Sequence, residues 1–191
     1  FVPSEPAIQK AVDLILQAHS PIIICGGGVV ISGAEAALAN LVEHFNIPVC
    51  TTVSGQGSLA GNHPLNAGVV GSNGGVIATR NIVAQADLVF FIGCRAGSTT
   101  TEHWRFPSPN TTIIHLDIDA NTIGVNYKTH AQLLGDAKLT LESMNILLQK
   151  QIVDRTKNVV DGKTLSLKCK EEKFAPFLKL AQSDVSPIVP E

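Results

Sequence analysis

The chain has 191 residues, of which 45% are hydrophobic and only 16% are charged. This composition is typical of one globular domain with a full hydrophobic core. The formal net charge of −2 argues against a surface for nucleic acid or anionic membrane, and no apolar run is long enough to cross a bilayer. No signal pattern precedes the first predicted helix, so we expect a cytoplasmic protein.

The apolar pattern predicts helices that alternate with short buried strands. Residues 21–25 form the clearest strand, a β-branched run that ends in three glycines. A helix should follow to about Phe45, with Ser32 and Glu35 forming a capping box at its start. Further strands are expected at 47–52, 87–92, 111–116 and 132–134, and further helices at 7–18, at 76–85, from Ala120 and up to Leu148. This alternation predicts a three-layer α/β fold, a doubly wound, Rossmann-like parallel sheet of about six strands with FAD/NAD-binding-like topology.

The glycine run after the first strand is a candidate phosphate site. A strand, a glycine turn and a helix N-terminus bring open N–H groups and the helix dipole to one point. The triplet lacks the spacing of the G-x-G-x-x-G fingerprint, so a tight turn that binds nothing fits the sequence equally well. The other predicted strands end in small or acidic residues, with Arg95 as the one cation. This pattern favours a nucleotide laid across the carboxyl edge of the sheet.

Cysteine, histidine and aspartate residues give no sign of a metal or catalytic site. The four cysteines include no C-x-x-C pair and three of them end apolar runs, so we expect buried, unpaired thiols. The histidines lack the spacing of metal ligands. At the end of a strand, Asp117 is expected to accept a ribose hydroxyl and Asp119 to cap the next helix. The sequence therefore predicts neither catalytic nor metal-binding residues.

Short motifs along the chain resemble, in order and spacing, the central domain of thiamine-diphosphate-dependent enzymes of the acetolactate synthase group. They are Gly-Gly-Gly-Val at 26–29, Ile-Pro-Val at 47–49, Gly-Asn-His-Pro-Leu at 61–65, Ala-Asp-Leu at 86–88, Gly-Cys-Arg at 93–95, His-Leu-Asp-Ile-Asp at 115–119 and Gly-Asp at 135–136. The resemblance implies a central, nucleotide-binding-like domain over residues 1–150. A linker and helical tail, with a helix near 165–180, would follow over 151–191 towards a pyrophosphate-binding domain that this sequence lacks.

The resemblance also implies a function within a larger enzyme. In that family the central domain lies between a pyrimidine-binding and a pyrophosphate-binding domain, which would be its partners in the same chain. The implied full-length enzyme uses thiamine diphosphate and Mg²⁺, acts on 2-oxo acids as a transferase or lyase, and forms a homodimer or homotetramer. Its catalytic glutamate and diphosphate motif belong to the flanking domains, so these 191 residues should be inactive alone.

Carried over by position, the resemblance places nucleotide contacts at the strand ends and glycine loops. The implied contact residues for FAD or ADP are Gly26, Gly27, Gly28, Thr52, Val53, Gly71, Asn73, Gly74, Gly93, Arg95, Asp117, Ile118, Asp136 and Ala137. The chain departs from flavin-binding members at 71–74 and at 96–98, so we expect adenine nucleotide binding rather than binding of free FMN. Two alternatives remain, a ligand-free structural spacer and a nucleotide-binding module of another flavoprotein.

Overall fold

The computed structural model describes residues 1–149 and 160–181, in which six strands form one parallel sheet. The strands are β1 Pro21–Cys25, β2 Val49–Thr51, β3 Asn66–Val69, β4 Leu88–Ile92, β5 Thr112–Asp117 and β6 Ala131–Leu134. Their order is β3-β2-β1-β4-β5-β6, which is the order of the doubly wound dinucleotide-binding fold. The predicted domain boundary near 150 and the end of the tail beyond 181 lie outside the described residues.

Helices cover both faces of the sheet. They are α1 Glu5–Gln17, α2 Gly27–Ile31, α3 Glu35–Phe45, α4 Ile77–Ala84, α5 Ala137–Gln149 and α6 Gly162–Ala181, with a 3-10 turn at Val53–Gly55. Helices α1, α3 and α5 share one hydrophobic core with the sheet, and α4 and α6 share the other. Successive side chains of β1 alternate between these cores: Ile23 belongs to the first, and Ile22 and Ile24 to the second. The predicted three-layer, Rossmann-like α/β fold is confirmed.

The chain between β1 and α3 differs from the prediction. The glycines at 27 and 28 begin the short helix α2 instead of forming an open turn. The Ser32 hydroxyl donates to the Val29 carbonyl oxygen at 3.1 Å, and α3 begins at Glu35 without a side-chain cap. The predicted capping box is therefore wrong, because Ser32 ends α2 and does not start α3.

The segment after β5 also differs from the prediction. Residues 120–124 form turns, so the helix expected from Ala120 is absent. Asp119 accepts hydrogen bonds from the backbone N–H of Asn121 at 2.9 Å and from its side chain at 3.0 Å. The prediction that Asp119 caps a helix is therefore wrong: it closes a local Asx turn, because the short aspartate side chain can bond to the backbone two residues further on.

Helix α6 packs against α4 and the edge strand β3. It includes the residues near 165–180, where the sequence predicts a helix. Cys169 is buried in this contact, with its thiol 3.4 Å from the Ala78 carbonyl oxygen. None of the helices in residues 1–149 and 160–181 is long and apolar enough to cross a membrane.

The start of α6 is fixed by the side chain of Asp161. This carboxylate accepts a hydrogen bond from Asn46 at 2.6 Å and one from the Lys163 amide at 3.2 Å. The Asn46 bond is the main reason that the pKa of Asp161 lies below its ordinary value. Asp161 therefore stabilises the start of α6 and joins it to Asn46 at the end of α3.

Candidate functional site

The carboxyl ends of β1 and β4 meet where the strand order of the sheet reverses. The Gly26 amide donates to the Ile92 carbonyl oxygen at 2.9 Å, and the Gly28 amide donates to the Gly93 carbonyl oxygen at 3.1 Å. A Cβ atom on Gly28 would lie 2.6 Å from the Gly93 Cα, and one on Gly26 would overlap the Gly93 oxygen. Glycine is needed at both positions because backbone packs directly on backbone. We call this junction the glycine contact.

The glycine run was expected to leave its N–H groups open to a phosphate, and the glycine contact uses two of them within the protein. The amides of Gly26 and Gly28 already donate within the protein, and only Gly27 has an amide without an acceptor in the described part of the chain. The helix that follows has just five residues. The prediction that this run leaves its amides open is therefore wrong for Gly26 and Gly28, which instead join β1 to β4.

A cavity of about 460 Å³ lies on the β5 side of the glycine contact. We call it the acidic cavity, because three aspartates and one arginine are its charged residues. Its lining residues are Gly28, Ile31, Ser32, Gly93, Arg95, Asp117, Ile118, Asp119, Thr122, Gly135, Asp136 and Ala137. The cavity thus lies beyond the carboxyl ends of β4, β5 and β6, which is where doubly wound sheets bind ligands.

Backbone N–H groups hold the aspartates of the acidic cavity in place. Asp117 accepts from the Asp119 amide at 3.0 Å. Asp136 accepts from the Leu139 amide at 2.9 Å, which caps the start of α5. One oxygen of each carboxylate is engaged in this way, so the side chains are fixed acceptors that suit a hydroxyl donor better than a phosphate.

A second cavity, of about 610 Å³, lies on the β2 side of the glycine contact. We call it the hydroxyl cavity, because threonine and serine supply most of its polar side chains. Its lining residues are Gly26, Gly27, Gly28, Ile31, Thr52, Val53, Ser54, Val70, Asn73, Gly93, Cys94, Arg95, Thr99 and Thr100. Gly28, Ile31, Gly93 and Arg95 line both cavities, so the two are adjacent.

Arg95 is the positive charge that the two cavities share. Within residues 1–149 and 160–181 it forms no ion pair shorter than 4.0 Å. Its charge adds a small part to the lowering of the pKa of Asp119, which comes mainly from hydrogen bonds donated by Asn121. The Asn126 side chain donates to the Arg95 carbonyl oxygen at 3.0 Å and so holds the backbone here. The guanidinium is therefore available for an anion.

The loop after β4 forms the outer wall of the hydroxyl cavity and is held by an ion pair between a buried glutamate and a partly exposed arginine. Glu102, with only 7% of its side chain exposed, contacts Arg80 of α4 through two N–O distances of 2.9 and 2.8 Å. Glu102, His103 and Trp104 all have left-handed φ values, of 50°, 61° and 58°. Sequence reasoning missed this loop, because three consecutive left-handed residues other than glycine follow from tertiary contacts and not from local preference.

All predicted contact residues except Gly71 and Gly74 line one of the two cavities. Gly71 has a φ of +92° and packs on the backbone of Thr99, while a Cβ on Gly74 would lie 2.9 Å from the Val69 side chain. Local packing therefore explains these two glycines. The lining residues that were not among the predicted contacts are Ile31, Ser32, Ser54, Val70, Cys94, Thr99, Thr100, Asp119, Thr122 and Gly135.

The buried cysteines and His115 have structural contacts. Cys25, Cys50, Cys94 and Cys169 are buried with free thiols, as expected, and burial raises the pKa of Cys94 to about 11. His115 Nε2 donates to the Cys94 carbonyl oxygen at 2.8 Å, and burial lowers the pKa of His115. The part of the chain that the structure describes contains no group of three or more side chains able to hold a metal ion.

The sheet order, with cavities on both sides of its reversal point, defines an α/β domain of doubly wound, Rossmann-like topology. Residues 8–144 match the family described as thiamine pyrophosphate enzyme, central domain. The chain belongs to this family, which confirms the resemblance drawn from the short motifs.

Known relatives carry the names of enzymes that are much longer than this chain. Over 137 residues, the chain is 44% identical to a probable acetolactate synthase large subunit of Methanococcus aeolicus and 42% identical to that of Methanocaldococcus jannaschii. Over 142 residues, it is 37% identical to a 3D-(3,5/4)-trihydroxycyclohexane-1,2-dione hydrolase of Clostridium perfringens. These matches cover 72%, 72% and 74% of this chain but only 23%, 23% and 22% of the three relatives. The chain thus spans less than a quarter of their length.

Proposed function

We propose that this chain is the central domain of a thiamine-diphosphate-dependent 2-oxo acid carboligase or decarboxylase of the acetolactate synthase type. We further propose that it binds an adenine nucleotide, either ADP or the adenylate half of FAD. Family membership and the names of the relatives support the first part. A transferase or lyase activity of the full-length enzyme, its cytoplasmic location and its assembly as a homodimer or homotetramer belong to the same proposal.

The placement of Arg95 between two adjacent cavities carries the nucleotide proposal. A guanidinium can bind a diphosphate through two parallel hydrogen bonds, and among the described residues Arg95 is the one cation that lines either cavity. The acidic cavity would repel phosphate, but Asp117 and Asp136 can accept hydrogen bonds from ribose hydroxyls. The nucleotide would therefore lie with its ribose and base in the acidic cavity and its diphosphate at Arg95. The exposed side chain of Ile118 offers an apolar surface to the base.

The residues of the hydroxyl cavity fit the remaining half of FAD. Its threonine hydroxyls and the Asn73 amide are neutral donors and acceptors, which suit the ribityl hydroxyls and the polar edge of a flavin. Its volume of about 610 Å³ falls within the usual range for cofactor sites. Asn73 lies in the loop after β3 and Arg95 lies in the loop after β4, so a bound cofactor would contact the loops that follow both strands.

Thiamine diphosphate and Mg²⁺ fit the described residues poorly, since no cluster of metal ligands is found in residues 1–149 and 160–181. In this proposal the pyrimidine-binding and pyrophosphate-binding domains of the longer chain hold both groups. Thiamine diphosphate supplies the chemistry on the 2-oxo acid when bound there. The contribution of this chain is to bind the nucleotide and to space its two partner domains.

One observation favours a second candidate, a structural domain without any ligand. The Gly26 and Gly28 amides already have acceptors, and the backbone of Gly93 fills the space that a Cβ atom on either glycine would need. Such packing would give the same glycine pattern in a domain whose only role is to space two catalytic domains.

Calorimetric titrations of this chain with ADP, FAD and FMN separate the two candidates. We expect ADP and FAD to bind and FMN to bind more weakly, because only the first two carry the adenylate. Binding of none of the three would favour the spacer, and tight FMN binding would favour a module of another flavoprotein type. With pyruvate, thiamine diphosphate and Mg²⁺ supplied, the chain alone should show no turnover.

A further inference from the structure

A third cavity, of about 300 Å³, lies between α6 and the edge strand β3 and shares no lining residue with the acidic or the hydroxyl cavity. We call it the lysine cavity. Its lining residues are Thr51, Gln56, Gly57, Leu59, Ala60, Gly61, Asn66, Ala67, Gly68, Val69, Lys170, Lys173 and Phe174. Its volume is at the small end of the range for small-molecule sites, about 300–1,000 Å³, so it admits a small organic molecule and not a dinucleotide.

The wall formed by β3 and the loop before it is held rigid by hydrogen bonds. The Asn66 side chain donates to the carbonyl oxygens of Leu59 and Ala60 at 3.0 and 3.1 Å and accepts from the Gly68 amide at 2.9 Å. Lys170 joins this loop to α6 by donating to the His63 carbonyl oxygen at 2.9 Å. The cavity is therefore formed in advance of any ligand, which reduces the entropy lost on binding.

The charged residues that line the lysine cavity in the described part of the chain are both positive. They are Lys170 and Lys173, which lie three residues apart on one face of α6. Neither has a salt-bridge partner among residues 1–149 and 160–181. Burial lowers the pKa of Lys170, so its ammonium is partly removed from water. Two unpaired like charges on one helix face destabilise it, and an anion between them would offset this repulsion.

One side of the lysine cavity is apolar and open. Phe174 lies beside the lysines, with the Lys173 Nζ 5.5 Å from its ring centroid, and Leu59 and Val69 add aliphatic surface. A Cβ atom on Gly61 would meet no other atom within 4 Å, so this glycine leaves the space free. An anion with a planar or apolar body would place that body against Phe174 and its charge near the ammonium groups of Lys170 and Lys173.

We propose that the lysine cavity binds a small organic anion, a carboxylate or phosphate ester, whose charge lies between Lys170 and Lys173 and whose apolar body lies against Phe174. This site is independent of the nucleotide proposal, since it uses different residues on another part of the sheet. Amide NMR of this chain tests it, with phenyl phosphate and benzoate as anionic probes and benzyl alcohol as the neutral control.

The anionic probes should shift the amide signals of Gly57, Gly61 and Gly68, and benzyl alcohol should not. Lys173→Gln should weaken phenyl phosphate binding about tenfold, because it removes a charge-assisted contact without breaking a hydrogen bond within the protein. Lys179→Gln makes the same charge change on α6 outside the cavity and should leave the affinity within about twofold, since an exposed distant charge is screened.

Several results would overturn the proposal: no shift at these glycines, equal binding of benzyl alcohol, or equal effects of the Lys173 and Lys179 variants. Equal affinity for inorganic phosphate and phenyl phosphate would remove the role of the Phe174 surface. If both anionic probes bind, the tighter of the two identifies the anion as a carboxylate or a phosphate. The nucleotide proposal is tested separately by the amide signals of Ile118 and Ala137, which line the acidic cavity and not the lysine cavity.

Discussion

The acidic and hydroxyl cavities lie on opposite sides of one backbone contact, yet their chemistry differs sharply. The acidic cavity holds three fixed carboxylates, whereas the hydroxyl cavity presents neutral donors and acceptors. Both end at Gly28, Gly93 and Arg95. The glycine contact is thus the divider between the two cavities, and the charged and polar side chains around it determine which part of a ligand each cavity can accept.

The largest expected effect comes from damaging the divider itself. Gly28→Ala places a Cβ atom 2.6 Å from the Gly93 Cα, and neither backbone can move without disturbing β1 or β4. We expect the free energy of unfolding to fall by about 2 kcal/mol or more, measured by urea denaturation. Gly27→Ala is the matched control: its Cβ would lie 3.3 Å from the nearest atom, the Ser54 oxygen, so its stability should stay within about 1 kcal/mol of the parent. Equal losses in the two variants would mean that the glycine contact is not what requires glycine.

The next effect concerns the charge that both cavities share. Arg95→Ala should weaken ADP binding by about tenfold to a hundredfold in calorimetric titrations, because a charge-assisted contact with the diphosphate is lost. Lys10→Ala removes the same charge from the exposed side of α1, and its affinity should match that of the parent. An Arg95→Ala protein that binds ADP as tightly as the Lys10 variant would place the diphosphate elsewhere.

A smaller effect is expected at the start of α5, on the acidic side. Asp136→Ala removes the carboxylate that accepts from the Leu139 amide, so the free energy of unfolding should fall by about 1 kcal/mol. Asp136→Asn keeps an acceptor oxygen at the same place and should lose much less. If urea denaturation gives the same loss for both, the side chain does not act as a helix cap.

The smallest effect is on how the free energy of unfolding depends on pH, through His115. This side chain donates to the carbonyl oxygen of Cys94, the residue after Gly93 of the glycine contact. Burial lowers the pKa of His115 below the ordinary value of about 6.5, so the unfolded chain binds more protons than the folded one. The contribution of His115 to stability is therefore full above pH 6.5 and is lost as the pH falls from there towards its folded pKa. His115→Gln keeps a donor for the Cys94 carbonyl oxygen, and its free energy of unfolding should fall less steeply between pH 7 and pH 5. Parallel curves for parent and variant would contradict the burial argument.

The fold was predictable because its two central strands, β1 and β4, are continuous apolar runs. The run at 21–25 and β4 are buried along their whole length, and this pattern identifies the central strands of a parallel sheet. The edge strand β3 could not be recognised in the same way. Its sequence, Asn-Ala-Gly-Val, is short and contains a glycine with a φ of +111°, so its pairing depends on contact with β2.

The position of the candidate site could be predicted from the sequence, but the hydrogen bonds and the loop conformation that build it could not. Strand ends such as Arg95 and Asp117 line the cavities because the topology brings all carboxyl ends to one edge. The use of the Gly28 amide by Gly93 could not be read from the sequence, since it depends on two segments 65 positions apart. The left-handed loop at 102–104 was missed for the same reason, because its conformation is coupled to Arg80 on another helix.

A nucleotide site that spans the two cavities is tested by the set of amide signals that ADP shifts in this chain. We predict changes on both sides of the divider, with Ile118 and Ala137 responding to the nucleoside and Gly27 and Arg95 to the diphosphate. Adenosine alone should reproduce only the first pair. Shifts at none of these residues, or the same pattern for ADP and adenosine, would contradict a nucleotide site that spans the two cavities.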